Sequence, residues 1–548
     1  MQRWNFSRSR KLGESRVTGS RDQWRLAESF VRNRREFLMG GASLAILPFA
    51  AQIAPGVTRK NIAWDSDPFA MGVASGDPST DGFVLWTRLA PDPVHAEATS
   101  GLANLGGDTI EVGWEISEDP SMKTILKSGT ARATAHLGYS VHVEVHGLRP
   151  NQWYWYRFHA GEAMSPVGRT RTTPSAEQSV DQMRFAFASC QHYESGLYTA
   201  YEHMIGEELD LILHLGDYIY EGPVGKNKLR QHNSAEIVSL NDYRNRYGLY
   251  KSDPHLMAAH AYAPWLVVWD DHEFDNNCAG LISEELWVDP REFAIRRANA
   301  YQAYYENQPL RSSAMPNGPD MRLYRDVAYG NLASFAMLDT RQYRSDQPNG
   351  DRAHKLEGAV FHPKATLLGQ AQESWLDAHL EGSTARWNVL GQQIMVGRVG
   401  RGAGEEKIFS MDQWAGYDAP RKRLLEQIKR LPVANTVILT GDIHSNWANE
   451  LHVDFDRLEE APVATEFVGT SISSGGNGYD HAKQEKELYS ENPFVKYHNA
   501  ERGYVSCTVT PDTWKTYYRT VSYVDRPGAP LQTRAEFTVE RGKPTLVS

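Results

Sequence analysis

The pattern of apolar and polar positions changes once along this chain. Between residues 69 and 173, short segments such as Ser140–Val145 alternate apolar and polar side chains, and turn residues separate them at fairly regular intervals. That alternation is typical of an all-β sandwich. From about residue 182 onward, short apolar runs alternate with stretches of helical periodicity, which predicts a largely parallel or mixed sheet with helices on its faces.

These patterns define the expected domains. We predict an N-terminal β-sandwich over residues 65–174, an α/β catalytic domain over 182–524 and a C-terminal tail over 525–548. Leu148–Tyr156 is similar to the corner of fibronectin type III domains, so we interpret its aromatic side chains as core. The stretches with helical periodicity in the second domain are Ala200–Leu209, Glu292–Tyr305, Ala365–Leu380 and Arg421–Leu431. Two polar stretches without clear periodicity, Glu221–His260 and Arg401–Asp418, are expected to run over the surface.

The N-terminal segment has the features of an export signal. Arginine is frequent up to the pair Arg34-Arg35, and a moderately apolar stretch rich in Gly and Ala runs from Met39 to Ala54. We interpret residues 1–56 as a twin-arginine signal peptide, with a disordered basic tail beside a buried helix as the alternative. The first interpretation implies passage through the twin-arginine translocase and a secreted or periplasmic mature protein with no transmembrane anchor.

Composition narrows the function classes. The 548 residues are 41% hydrophobic and have a formal net charge of -10, which describes a soluble protein and argues against a nucleic-acid-binding surface. Three cysteines are too few for a disulfide framework. No G-x-S-x-G, H-E-x-x-H or P-loop motif occurs, so the chain lacks the common signatures of serine hydrolases, zincins and P-loop nucleotidases.

Three buried strands are predicted to end in acidic or histidine residues. The three endings are Gly216-Asp217-Tyr218-Ile219-Tyr220, Asp270-Asp271-His272-Glu273 and Gly441-Asp442-Ile443-His444. Ligands bind at the carboxyl ends of strands in open α/β sheets, so these endings predict a multi-metal hydrolytic centre. In such a centre Asp217 suits a bridging position because its carboxylate can serve two cations. Asp442 and His444 can address adjacent metals, Asp271 can add an oxygen ligand, and His272 can donate a proton to the substrate or leaving group.

Two further candidates indicate the kind of metal. Cys190 ends another predicted strand, and Tyr220 lies three residues after Asp217. A thiolate and a phenolate are unusual ligands for calcium or magnesium, but both suit a ferric ion. On its own, Cys190 would more often be an inert buried cysteine, and its position beside the other strand endings favours a ligand.

These motifs and their order resemble the PhoD family of secreted alkaline phosphatases (the alkaline phosphatase D family). That family is related to the purple acid phosphatases within the calcineurin-like metallophosphoesterases. Besides the three endings, the resemblance includes Phe187–Cys190 and Leu338–Arg344, and it spans nearly the whole chain after the signal. It implies a four-layer α/β/β/α metallophosphoesterase core after the fibronectin III-like sandwich. It also implies one iron(III) ion (Fe3+) with calcium ions (Ca2+) alongside.

The resemblance also assigns roles to individual residues. Purple acid phosphatases have Asp, Asn and His where this chain has Cys190, Asp271 and Asp442, and the last two exchanges give oxygen anions that calcium prefers. The implied activity is release of phosphate from phosphomonoesters, phosphodiesters or both at alkaline pH, by attack of a metal-bound hydroxide with help from His272. The implied iron ligands are Cys190, Asp217, Tyr220 and His444, and the implied calcium ligands are Asp217, Asp271 and Asp442.

Several alternatives stay open at this point. Asp270 competes with Asp271, because adjacent strand residues point in opposite directions. Asp339 and Arg341 can bind substrate or buttress the sheet, Gln393 is a candidate supporting residue, and Ser473–Gly478 is either a phosphate cradle or a plain loop. The substrate can be a small molecule or a polymer. A phospholipase D-like or teichoic-acid phosphodiesterase is the nearest alternative function, and a secreted metal-stabilised binding protein is a remote one.

Overall fold

The computed structural model describes residues 57–60, 62–94, 102, 108–433, 435–480 and 485–548. The predicted signal peptide, residues 1–56, lies outside the described residues. Among the residues that are described, no helix combines the length and apolar character needed to span a membrane.

The first part of the chain forms strands that enclose one apolar cluster. In chain order they are β1 (Thr58–Arg59), β2 (Val73–Gly76), β3 (Phe83–Arg88), β4 (Thr109–Ser117), β5 (Lys127–Ala133), β6 (Ser140–Val145), β7 (Trp153–Ala160), β8 (Ala163–Met164) and β9 (Gly168–Arg171). Strand β4 pairs with β5 and β7, whereas β3 lies between β2 and β6. Leu85, Val112, Val143 and Tyr156 from the two sets of strands share one buried cluster.

The remainder alternates strands with helices, as the apolar periodicity predicts. Its elements are β10 (Met183–Ala188), α1 (Thr199–Met204), β11 (Leu211–Leu215), α2 (Leu240–Lys251), α3 (Pro254–Tyr262), β12 (Trp265–Val268), α4 (Pro290–Asn307), β13 (Arg325–Tyr329), β14 (Ala333–Met337), α5 (Gly369–Gly382), β15 (Trp387–Gly391), α6 (Asp418–Arg430), β16 (Thr436–Thr440), β17 (Asn446–Leu451), β18 (Ala464–Val468), β19 (Gly478–Tyr479), α7 (Glu485–Glu491), β20 (Val495–Val509), β21 (Thr513–Val521), β22 (Leu531–Glu540) and β23 (Lys543–Val547).

Two groups of parallel strands form the framework of this part. In the first, β10, β11 and β12 run parallel, and β2 continues this group beyond β12. In the second, β14, β15, β16 and β18 run parallel, with β13 and β17 antiparallel at its sides. The long strand β20 joins the groups, because its first residues pair with β17 and its last residues pair with β10.

The side chains of the second group alternate between two cores. Val437 and Leu439 belong to the cluster that also contains the residues of β10, β11 and β12. Ile438 between them belongs to a cluster formed with α5 and α6. Because successive strand side chains point to opposite faces, the sheet has one face toward the first group and the other toward these helices. The rings of Phe185 and Phe335, 5.4 Å apart, meet between the two groups. The fold is thus mixed α/β.

The structure differs from the sequence expectations at two places. The predicted surface stretch Glu221–His260 contains α2 and most of α3, and Tyr243 and Tyr247 of α2 are fully buried. Residues 525–548, expected as a tail, include β22, which pairs with β21, and β23, which pairs with β22. In β22 only Phe537 and Val539 are buried, so its apolar signal is short.

Candidate metal centre

The predicted site residues follow strands that end at one place in the fold. Cys190 follows β10, Asp217 follows β11, Asp271 follows β12, and Asp442 follows β16. The two groups of strands approach closely here, since a side chain at Gly441 would lie 2.8 Å from Ser189 Oγ and 3.3 Å from the Leu215 carbonyl oxygen. The loops beyond the strands therefore bring residues distant in sequence into contact.

One group of candidate ligands consists of the residues that the family resemblance assigns to iron. Ligating atoms of Cys190, Asp217 and His444 all lie within 4.8 Å of one another. The Tyr220 hydroxyl donates to Asp217 Oδ2 at 2.7 Å and lies 3.2 Å from His444 Nε2. A thiol, a carboxylate, an imidazole and a phenol thus converge on one point.

A second group of candidate ligands adjoins the first. Asp217, Asp271 and His272 offer atoms within 4.8 Å of one another, and so do Asp270, Asp271 and Asp442. Asp217 is therefore shared between neighbouring groups, as a bridging carboxylate must be. Both Asp270 and Asp271 face the site, although strand alternation predicts only one. The alternation ends with β12, and the chain turns at Asp271, whose carbonyl accepts from the Phe274 N–H at 2.8 Å.

The buried carboxylates of the site lack sufficient compensating positive charge from the protein. Burial raises the pKa of Asp217 well above its ordinary value and, despite Arg341, raises the pKa of Asp442 to about 7. Within the described part of the chain, Asp217 Oδ1 and Asp270 Oδ2 are buried without a hydrogen-bond partner. Buried carboxylates require a compensating charge, and hard cations supply it. The unsatisfied oxygens and the mixed S, N and O donor set therefore fit bound metal ions.

Arg341 is the main protein cation in contact with the carboxylates. Its Nε donates to Asp270 Oδ1 at 2.5 Å, and its Nη2 lies 3.6 Å from Asp271 Oδ2. On the other side, Nη1 and Nη2 donate to the two oxygens of Asp412 at 2.8 and 2.9 Å. Arg341 thus contacts the site, whereas Asp339 accepts from the backbone N–H groups of Arg341 and Gln342 and supports their loop.

Gln393 holds the backbone of a neighbouring loop through its side-chain amide. Its Oε1 accepts from the Thr340 N–H at 3.1 Å, and its Nε2 donates to the Leu338 carbonyl at 2.9 Å. The amide therefore fixes the backbone that leads to Arg341. No metal-ligating group of the site contacts Gln393 through a hydrogen bond among the described residues.

His272 is hydrogen-bonded to a carboxylate at the edge of the site. Its Nδ1 lies 2.7 Å from Glu221 Oε2, and its ring packs 4.1 Å from the ring of Tyr220. Burial opposes the charge, but Glu221, Asp217 and Asp271 together raise the pKa of His272 well above its ordinary value. These neighbouring carboxylates therefore favour the protonated form of the ring.

Sequence reasoning missed four residues around the site. Glu221 orients His272, and the Glu273 carboxylate accepts from the backbone N–H groups of Asp217, Tyr218 and Asp270. Their positions directly after Tyr220 and His272 were a usable signal. Asp412 and Gln413, which contacts Asp442 Oδ2, lie in the predicted surface stretch Arg401–Asp418, where no pattern distinguishes them.

The segment Ser473–Gly478 does not present its first amides as a phosphate cradle. The N–H groups of Ser473 and Ser474 point at the Cys190 carbonyl, at 3.5 and 3.3 Å. Immediately upstream, the Ile472 N–H donates to the Ser189 carbonyl at 3.0 Å. Ser471–Ser474, the serine loop, therefore pairs with the backbone that bears Cys190.

Comparison with known proteins agrees with this arrangement. The family model described as "PhoD-like phosphatase" matches residues 185–518, and the one described as "PhoD-like phosphatase, N-terminal domain" matches residues 56–174. Alkaline phosphatase D of Bacillus subtilis (strain 168) is 50% identical over 531 residues, which cover 95% of this chain and 90% of that protein. A solved structure titled "Structure of PhoD" superposes with a TM-score of 0.86 at 51% identity, covering 89% of this chain and 93% of the other.

Proposed function

Since this chain belongs to the PhoD-like phosphatase family, and is therefore a phosphatase, we propose that it hydrolyses phosphate esters at a centre of iron(III) and calcium ions. The observation that supports this most directly is the convergence of Cys190, Asp217, Tyr220 and His444 beside a second group rich in carboxylates. The soft and phenolic donors of the first group suit a ferric ion, and the oxygen donors of the second suit calcium. A binding protein without catalysis is not compatible with this family.

The proposed roles in hydrolysis are assigned to different residues. Cys190, Asp217, Tyr220 and His444 would hold iron, and Asp217, Asp271 and Asp442, with Asp270 alongside, would hold calcium. When bound, the metals would activate water and neutralise charge on the phosphoryl oxygens. His272, whose Nδ1 lies 2.7 Å from Glu221 Oε2, would protonate the leaving alcohol.

The finer architecture and the export route are also part of this proposal. The two cores on either face of β16 support a four-layer α/β/β/α arrangement. The cluster between β3 and β4 supports a fibronectin III-like sandwich at residues 65–174. Export through the twin-arginine translocase rests on the sequence of residues 1–56 alone.

The substrate range and the pH preference that we propose come from the family resemblance. We expect hydrolysis of phosphomonoesters, phosphodiesters or both, with greatest activity at alkaline pH. Comparing a nitrophenyl phosphate, a bis-nitrophenyl phosphate, a phospholipid and a teichoic acid at equal concentration measures the preference. A marked preference for the last two would favour the phospholipase D-like or teichoic-acid phosphodiesterase.

The proposed bridge is tested with Asp217→Asn. The amide keeps the shape of the side chain but removes the negative charge shared by two cations, so we expect activity to fall by at least about a hundredfold. Metal content is measured by elemental analysis on the same preparations, and it should fall for iron and calcium together. Asp456→Asn, at a carboxylate that is 74% exposed and paired with Arg398, is the control and should keep full activity. Full activity of Asp217→Asn in metal-replete protein would refute the bridge.

A further inference from the structure

A single serine hydroxyl connects two of the proposed iron ligands. Ser474 Oγ donates to the Cys190 carbonyl oxygen at 2.7 Å and lies 2.7 Å from the Tyr220 phenol oxygen. It also accepts from the His192 N–H at 3.1 Å. Ser474 is 2% exposed and Tyr220 is 7% exposed, so water does not substitute freely for this contact.

The buried side chain of Arg502 connects the serine loop to His444, a third proposed ligand. Arg502 Nη1 donates to the Ser474 carbonyl at 2.8 Å and to the His444 carbonyl at 2.8 Å, and it also contacts Ser471 Oγ. Arg502 is 4% exposed and lies on β20, the strand that joins the two groups of strands. The contacts therefore tie the loops after β10, β11 and β16 to one point.

We propose that Ser474 and Arg502 act as positioning residues for the iron half of the centre, with Ser474 setting the hydrogen bonding of the Tyr220 phenol oxygen. This inference rests on the proposed function, because it assumes that Tyr220 binds a ferric ion. Neither residue would bind the metal or the substrate. Groups that orient metal ligands and donate hydrogen bonds to them commonly change metal affinity by 10- to 100-fold.

The hydrogen bonds of the Tyr220 phenol oxygen should differ between the metal-free and the metal-bound protein. Without a cation, the Tyr220 hydroxyl donates to Asp217 Oδ2, and Ser474 can give its proton to the Cys190 carbonyl. When the phenol oxygen binds a cation, the Ser474 hydroxyl can rotate and donate to it. A donated hydrogen bond stabilises the oxygen electrons, so phenol-to-iron charge transfer requires more energy. Removal of that hydrogen bond should move the charge-transfer band to longer wavelength.

The test compares Ser474→Ala with Ser473→Ala. Ser473 is the matched control, because its hydroxyl donates to the His192 carbonyl and contacts no proposed ligand. The holoenzymes are compared by visible spectrum and by iron affinity, measured by equilibrium competition with a chelator. We expect Ser474→Ala to show a band at longer wavelength and a 10- to 100-fold loss of iron affinity. Ser473→Ala should match the wild type in both, and Ser474→Thr, which retains a hydroxyl, should restore both.

The outcomes separate this inference from the proposed function. A charge-transfer band of Ser474→Ala at the wild-type wavelength, with unchanged iron affinity, would overturn the positioning role and leave the iron centre intact. A wild-type holoenzyme with neither iron nor a charge-transfer band would refute the iron centre itself. If Ser474→Ala does not fold, Ser474→Gly removes the same hydroxyl beside Gly475, and its thermal melting is recorded with its spectrum.

Discussion

At the scale of single residues, the site depends on backbone conformations that few side chains adopt. Cys190, Asp217, Asp442 and His444 have φ angles of 59°, 56°, 64° and 54°, in the left-handed region. Non-glycine residues there are uncommon and persist where surrounding contacts fix them. Hydrogen bonds to Glu273 supply such contacts at Asp217. All four residues belong to the groups whose candidate ligating atoms converge.

The buried ion pair between Asp412 and Arg341 provides a prediction at this scale. Arg341 is inaccessible to solvent and Asp412 is 7% exposed, and Arg344 Nη1 donates to the same carboxylate at 2.7 Å. Asp412→Asn leaves two buried guanidinium groups without this anion, so we expect the free energy of unfolding to fall by about 3 kcal/mol. Urea unfolding measures it.

The matched comparison for that prediction is a surface pair of the same chemistry. Asp456 contacts Arg398 but is 74% exposed, so Asp456→Asn should cost less than about 1 kcal/mol. Equal costs for the two substitutions would show that Asp412 does not stabilise Arg341 in the way its burial indicates.

The sequence predicts the site residues better than it predicts their supports. Asp217, Asp442 and His444 follow apolar runs that only a buried strand would need, and the structure brings them together. Their catalytic roles stay predictions. Asp412 could not be predicted, because its partner Arg341 lies 71 positions away and it sits in a polar stretch without periodicity. Long-range pairing of this kind leaves no local pattern.

At the scale of elements, β20 determines how the two groups of strands meet. Its residues up to Asn499 pair with β17, and its residues from Val505 pair with β10. Gly503 lies between these halves with a φ of 155°, and a Cβ there would lie 2.0 Å from the Arg519 carbonyl oxygen on β21. Only glycine fits this close approach of two strands.

Gly503→Ala should therefore be strongly destabilising. We expect it to lower the free energy of unfolding by more than about 3 kcal/mol, because backbone strain and steric overlap add. Gly542→Ala is the control, since Gly542 also has a positive φ of 81° but nothing lies within 4 Å of its Cβ position. There strain alone should cost about 1 kcal/mol. Thermal and urea unfolding of both variants measure these changes. Similar decreases in the free energy of unfolding would mean that β20 tolerates the steric overlap.

The elements that the sequence predicts and those it misses differ in what they bury. The apolar runs of β11 and β16 and the periodic apolar positions of α6 correspond to observed elements. Helix α2 is missed because it buries Arg246, Tyr247 and other polar or amphipathic side chains. Hydrophobic periodicity detects a face that excludes polar groups, whereas this helix buries polar side chains such as Arg246, whose Nη1 donates to the Gly222 carbonyl at 3.0 Å.

At the scale of the whole molecule, burial keeps several titratable side chains neutral near neutral pH. Burial lowers the pKa of His142 and His498 to about 4 and that of His214 to about 3. These rings are neutral at neutral and alkaline pH, and acid would force charge into apolar surroundings. Burial also raises the pKa of Tyr305 to about 12, so that phenol too stays neutral at moderately alkaline pH. These histidine and tyrosine side chains therefore add no buried charge between neutral and moderately alkaline pH.

His142 allows the pH dependence to be measured at one position. Its ring stacks 4.4 Å from that of Tyr305, its Nδ1 lies 3.2 Å from the Leu310 carbonyl, and it is far along the chain from the proposed ligands. In the unfolded chain the pKa of His142 is 6.5, so the ring binds a proton below that pH. In the folded protein the pKa is about 4, so the ring stays neutral until the pH falls to that value. This stabilisation is thus complete above pH 6.5 and is lost as the pH falls toward 4, by about 3 kcal/mol in total.

His142→Phe keeps an aromatic ring for stacking but cannot take up a proton, so its unfolding free energy should fall less than that of the wild type between pH 7.5 and 4.5. Most of the 3 kcal/mol should appear as this difference, because the other buried histidines contribute equally to both proteins. His146→Gln, at a side chain that is 56% exposed, tests whether any histidine change would do the same. Parallel pH curves for His142→Phe and the wild type would show that the folded protein accepts a proton at His142, and that burial there does not set its charge.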